Sequence, residues 1–136
     1  MHTSAAVLIA GAIALLGAAF LFGGRLPAQY RARSCQGKAW RRSFPSVLKA
    51  EIRQFLVVFT SAFAFNDTEK LKLSPEDQLL SIYRALYPHK WQADALEFET
   101  LAQDIQSKYG VNFSAIWYET LTLGQLFTCV RNRNAP

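Results

Sequence analysis

Residues 5–24 of the chain, AAVLIAGAIALLGAAFLFGG, contain no charged and no strongly polar side chain. Twenty residues at the helical rise span about 30 Å, the hydrocarbon thickness of a bilayer. A helix packed on a soluble core would show a polar face, and this run shows none. It therefore reads as an uncleaved transmembrane anchor. A cleaved signal peptide would want a basic start, a shorter apolar stretch and a small-x-small cleavage site. Here residues 1–4 carry only His2, and the apolar run continues to Phe22 before Arg25.

Charge around the run sets the expected orientation. Arg25, Arg31, Arg33, Lys38, Arg41 and Arg42 follow it, and no Lys or Arg precedes it. Basic flanks stay on the cytoplasmic side, so a single-pass protein of the inner (cytoplasmic) membrane is expected, with its C-terminal domain in the cytoplasm. Those six cations leave nine basic against ten acidic residues in 43–136, a net charge of −1 within a chain of +5. A domain with that balance has no electrostatic footprint for nucleic acid. The basic stretch 25–44 reads instead as a juxtamembrane linker lying on anionic headgroups, at about 1 kcal/mol per residue near the surface. Trp40 within it fits either a headgroup position or a packing position on the domain. Cys35 and Cys129 have no metal-type spacing and should be reduced thiols on the cytoplasmic side.

From residue 45 to 132 the pattern is that of one all-α domain. Ser46 is a candidate N-cap for a helix in which Leu48, Ile52, Phe55, Leu56, Phe59 and Phe63 form a broad apolar face, ended by the Asn66-Asp67 turn. Ser74, Pro75 and the acids Glu76 and Asp77 predict a helix over 75–87, closed by Pro88. A third helix is expected from Asp94 to Tyr109, with Asp94 and Glu97 approximating a capping box, Leu96, Leu101, Ile105 and Tyr109 as its apolar positions, and Gly110 as its left-handed stop. Ser114 suits the cap of a single turn. Thr122 and Gln125 form a second capping box that opens the last helix, with Leu126, Phe127 and Val130 inward. Nothing alternates at period two for long enough to require a sheet.

The motifs DALEFETL (94–101), KYGVNF (108–113), LTLGQLF (121–127) and LSPEDQLL (73–80), in this order and spacing, resemble the acyl carrier protein family over roughly residues 46–131. The resemblance implies an acyl-carrier-like four-helix bundle. In that family the residue after the signature aspartate is a serine that takes 4′-phosphopantetheine. Here it is Ala95, whose methyl group has no oxygen for a phosphodiester, so no cofactor is expected at this position. A separate helix over 74–93, where the family usually has a loop, is a second departure.

No Ser/His/Asp set, phosphate-binding glycine loop or carboxylate pair stands out, and His89 reads as a loop residue, so neither enzymatic activity nor a metal site is expected. The leading expectation is a binding module. Glu97, Glu99 and Asp104 would face a protein partner with a basic groove, and Leu96 and Phe98 would add apolar contacts. The same acids read equally well as an ordinary solvated face. Two alternatives stand beside it: a functional carrier modified at another serine (Ser81, Ser107 or Ser114), and a small structural subunit of a membrane complex. Ala10, Ala14 and Ala18 in the apolar run would permit close helix contact in the second case.

Overall fold

The computed structural model describes residues 24–88 and 95–134, with the backbone alone for 133 and 134. The expected span at 5–24 lies outside these residues except for Gly24. Among the described residues no helix is long and apolar enough to cross a membrane.

The described residues are helical, in line with the expected all-α class. In chain order they form α1 (Ala28–Arg31), α2 (Gly37–Ser43), α3 (Lys49–Ala62), a 3₁₀ segment (Asp67–Lys72), α4 (Leu79–Leu86), α5 (Leu96–Tyr109), α6 (Phe113–Ile116) and α7 (Leu123–Asn134). Extended pairing among them is limited to two isolated bridges, Gly24 with Phe65 and Gln78 with Thr122. The central packing is α3 on α5 and α5 on α7, with the 3₁₀ segment against α3.

Residues 25–44, expected to be a linker, are instead part of this body. Leu26, Tyr30 and Trp40 join the same buried cluster as Phe55, Phe59, Leu101, Ile105 and Phe127. The Trp40 ring stacks on Phe44 and meets Phe55 and Phe127 edge-on at 6.3 and 6.0 Å. Its Nε1 donates to Leu73 O at 2.8 Å, so the buried indole N–H is satisfied. The headgroup position open to Trp40 in the sequence is therefore not the one adopted. Arg33 grips Asp77 through a two-pronged pair at 2.7 and 2.8 Å, and Gln36 N donates to Leu71 O. An isolated count of six cations signalled solvent; the apolar residues interleaved with them signal burial.

Three helix starts differ from the capping signals. Phe44 packs at 4.9 Å on Phe127, and Val47 N bonds Phe44 O. Ser46 is thus spent in a turn, and α3 begins three residues later behind Leu48. Ser74 does not open α4. The Asp77 carboxylate turns back to accept from Ser74 N at 2.7 Å, and α4 starts only after Gln78. Ser114 is not a cap either; the Asn112 side chain accepts from Ser114 N.

Two expected signals appear as read. Thr122 and Gln125 exchange bonds of 2.9 and 3.1 Å at the head of α7. Gly110 holds φ 68 behind α5, its N–H on Gln106 O, a conformation that costs glycine little. The α7 start is further fixed by the Ser74–Asp77 loop. Gly124 N donates to Pro75 O and Leu123 N to Asp77 O. That approach leaves no room for a side chain, because a Cβ on Gly124 would lie 2.9 Å from Pro75 O.

Candidate functional site

The head of α5 is the first candidate. Ala95 precedes the helix with φ 61, in the left-handed region, which costs an L-residue with a Cβ about 1–2 kcal/mol. Two neighbours hold it there. Its N–H donates to the Tyr83 hydroxyl at 2.8 Å, and its carbonyl accepts from Glu99 N at 3.0 Å. Its own side chain makes no hydrogen bond, since a methyl has nothing to offer. Asp94, expected to cap the helix with Glu97, lies outside the described residues.

The residues expected to meet a partner do not share one surface. Glu97 is partly buried; it accepts from the Tyr87 hydroxyl, while its other carboxylate oxygen is buried with no hydrogen bond among the described residues. Phe98, expected outside the core stripe, is partly buried among rings. It meets Tyr83 at 4.8 Å, Trp117 at 5.0 Å and Phe63 at 5.5 Å. Spacing alone put it on a flank; the arrival of α4 and the segment after α6 turned that flank inward. Glu99 is exposed and Asp104 half-exposed. Leu96, expected as an apolar helix position, is 57% exposed. What remains outward is Leu96 and Glu99 beside Ala95, with Asp104 further along α5.

The three serines weighed as substitutes lie elsewhere. Ser81 is in the first turn of α4, Ser107 near the end of α5 and Ser114 in α6, all exposed. Among the described residues no group of His, Cys, Asp and Glu is placed to hold a metal. Cys35 and Cys129 are free thiols, Cys35 exposed.

A second candidate was not foreseen. The turn 44–48, α2, the start of α3 and the end of the 3₁₀ segment border a half-open cavity of about 440 Å³, within the range of small-molecule sites. Its floor is Trp40, Val47, Ile52 and Leu71, and its rim carries Lys38, Arg41, Lys49 and Arg53. No acidic residue lines it, and none of the four cations forms an ion pair among the described residues. Glu51, one residue from Ile52, is drawn away to Arg131 at 3.3 Å. The signal was in the spacing: 38 and 41 share a face of α2, and 49 and 53 share a face of α3. Their convergence requires α2 to pack as a helix beside α3, which the charge count of residues 25–44 does not signal.

The described residues thus form an all-helical bundle around one core, with a strained alanine heading α5 and a cationic cavity on another side. No family model matches the chain, and neither a curated protein nor a solved structure matches it.

Proposed function

We propose that this protein is a membrane-anchored, acyl-carrier-like binding domain without a prosthetic arm, acting through the surface at the head of α5. The observation that carries the reading is Ala95. It stands where the DALEFETL motif would place the modified serine, at the N-terminus of a helix, and it offers no oxygen. The exposed Leu96 and Glu99 beside it give that helix end an apolar and an acidic contact for a partner with a basic groove. Glu97 and Phe98 support this surface from within, through Tyr87 and the Tyr83–Trp117 rings. The anchor rests on the uncharged run at 5–24, and the cytoplasmic side on the cations after it.

Crosslinking in intact membranes tests the reading. The Leu96→Asp, Glu99→Lys protein should lose the crosslinked partner that the unaltered chain captures, while Ser107→Ala keeps it. An unchanged partner would remove the head of α5 from consideration. Intact mass after co-expression with a phosphopantetheinyl transferase should be unaltered; a gain of one phosphopantetheine would make the protein a carrier.

A further inference from the structure

The cationic cavity described above lies on α2 and α3, not at the head of α5, and its chemistry does not depend on the carrier-like reading. Four cations rim it and no acid balances them. Arginine and lysine left unpaired around a concave site attract an anion, and the two guanidinium groups suit the paired oxygens of a phosphate. The floor is not polar. Val47 and Leu71 are half-buried and keep apolar surface open to the cavity, above Trp40 and Ile52, which are closed off at 1% and 6% exposure. An inorganic anion would leave that floor wet. The ligand that satisfies both halves is amphiphilic, with an anionic head and an apolar tail.

One exposed side chain narrows the source. Leu48 stands between the cavity residues Val47 and Lys49, and at 68% it is the most exposed large apolar side chain among the described residues. An outward leucine next to a ring of cations is the pattern of a surface that dips into the boundary between headgroups and acyl chains. The same chain carries the uncharged run at 5–24, which would keep the domain at a bilayer. We infer that the cavity binds the phosphate head of an anionic membrane lipid, with Lys38, Arg41, Lys49 and Arg53 on the phosphate, the acyl chain leaving over Val47 and Leu71, and Leu48 in the adjoining lipid; the placement at a bilayer rests on the anchor proposed above.

Cys35 is a built-in reporter, since its exposed thiol lines this cavity while Cys129 lies elsewhere. The full chain in neutral detergent micelles is alkylated with N-ethylmaleimide, and each cysteine is followed by peptide mass. Dihexanoylphosphatidylglycerol should slow the Cys35 reaction in a saturable way and leave Cys129 unaffected. Dihexanoylphosphatidylcholine and inorganic phosphate should protect much less at equal concentration. Arg41→Gln with Arg53→Gln should raise the half-protecting concentration about thirtyfold, the equivalent of two basic contacts. Circular dichroism shows whether the doubly substituted chain is folded, and Leu48→Ser, at the exposed N-cap position of α3, gives a second variant expected to weaken protection. Equal protection by phosphatidylcholine would mean an apolar groove only. Equal protection by phosphate alone, or stronger protection by a deca-glutamate peptide, would assign the cavity to another ligand. Protection unchanged in the arginine double variant would overturn the site.

Discussion

Removing the Asp77 carboxylate should cost this domain about 3 kcal/mol, and the reason lies in what it holds. Its side chain is 8% exposed and Arg33 opposite is 33% exposed. The carboxylate accepts both arms of the Arg33 fork, at 2.7 and 2.8 Å, and a third bond from Ser74 N at 2.7 Å. Hydrogen bonds to charged groups contribute about 1.5–3 kcal/mol each when solvent is excluded. Arg33 can regain water on its open side, which puts its two bonds below that range, at about 2 kcal/mol together. The Ser74 N–H loses an N-cap-like acceptor in a buried turn, for about 1 kcal/mol more. Asp77→Asn keeps an acceptor for Ser74 but not the charge, so it should lose about half as much.

The assay is urea unfolding of the full chain in neutral detergent, read by near-ultraviolet circular dichroism. A double-mutant cycle with Arg33→Met and Asp77→Ala isolates the pair and should give a coupling of about 2 kcal/mol. The cycle also tests the architecture, because Arg33 belongs to the stretch that its charge count marks as linker. Additive effects, or a cost for Asp77→Ala under about 0.5 kcal/mol, the usual range for a surface change, would mean that residues 25–44 do not fold as part of the body.

Three further outcomes follow from the geometry. Ala95→Gly should raise the unfolding free energy by about 0.5 kcal/mol, read as a higher urea midpoint, since relief of left-handed strain outweighs the added freedom of the unfolded chain; a lower midpoint would refute the strain at φ 61. Gly124→Ala should cost about 1–3 kcal/mol by forcing α7 off the Pro75 carbonyl, 2.9 Å from the new Cβ, seen as a drop in midpoint with faster amide exchange at Leu79 and Leu123, whose N–H groups bridge the two segments. Burial raises the phenol pKa of Tyr30 and of Tyr109, the latter helped by the negative charge of Glu51, above the ordinary value of 10.0. The neutral ring is the form the fold prefers, so this stability is complete below pH 10.0 and is lost as pH rises through the folded-state values. The urea midpoint should fall as the pH rises past 10.0, and Tyr30→Phe with Tyr109→Phe should flatten that fall.

What could be read from the sequence was short-range. Thr122 and Gln125 answer each other across three residues, and Gly110 needs only its own helix end, so both were legible. Ser74-Pro75-Glu76-Asp77 carries every local mark of a helix start and is not one. Its proline carbonyl is taken by Gly124, and its aspartate is shared between Ser74 and an arginine 44 residues away. Ser46 was outbid by a ring contact between Phe44 and Phe127. Tertiary partners of this kind leave no trace at the spacing a capping rule inspects. At the candidate site, Glu99 is exposed and Leu96 stands outside the apolar face its spacing predicts, whereas Phe98 depends on rings from α4 and from the residues after α6. The cationic cavity was the least legible feature, because it needs two short faces to meet that are separated by the 44–48 turn.

The entry of the chain into this body bears on how any membrane anchor could act. Gly24 N donates to Ala64 O at 2.6 Å, and Gly24 O accepts from Asn66 N at 2.7 Å. These bonds tie the chain to the turn behind α3, where Ala64 itself is held at φ 57. A Cβ on Gly24 would stand 2.7 Å from Ala64 O, so the position takes glycine because the two backbones touch. Leu26 is buried two residues later, its N–H directed at Glu69 Oε2. A span ending at Gly24 would therefore have no slack before the first core residue. A flexible basic tether would let the domain search for partners at a distance. With a clamped entry, an anchor at 5–24 would restrict which faces could meet a bilayer, and a partner for the head of α5 would have to approach within that restriction. The cations read as a tether are used differently: Arg33 is consumed by Asp77, and Lys38 and Arg41 are presented, from a rigid helix, on the rim of the cavity.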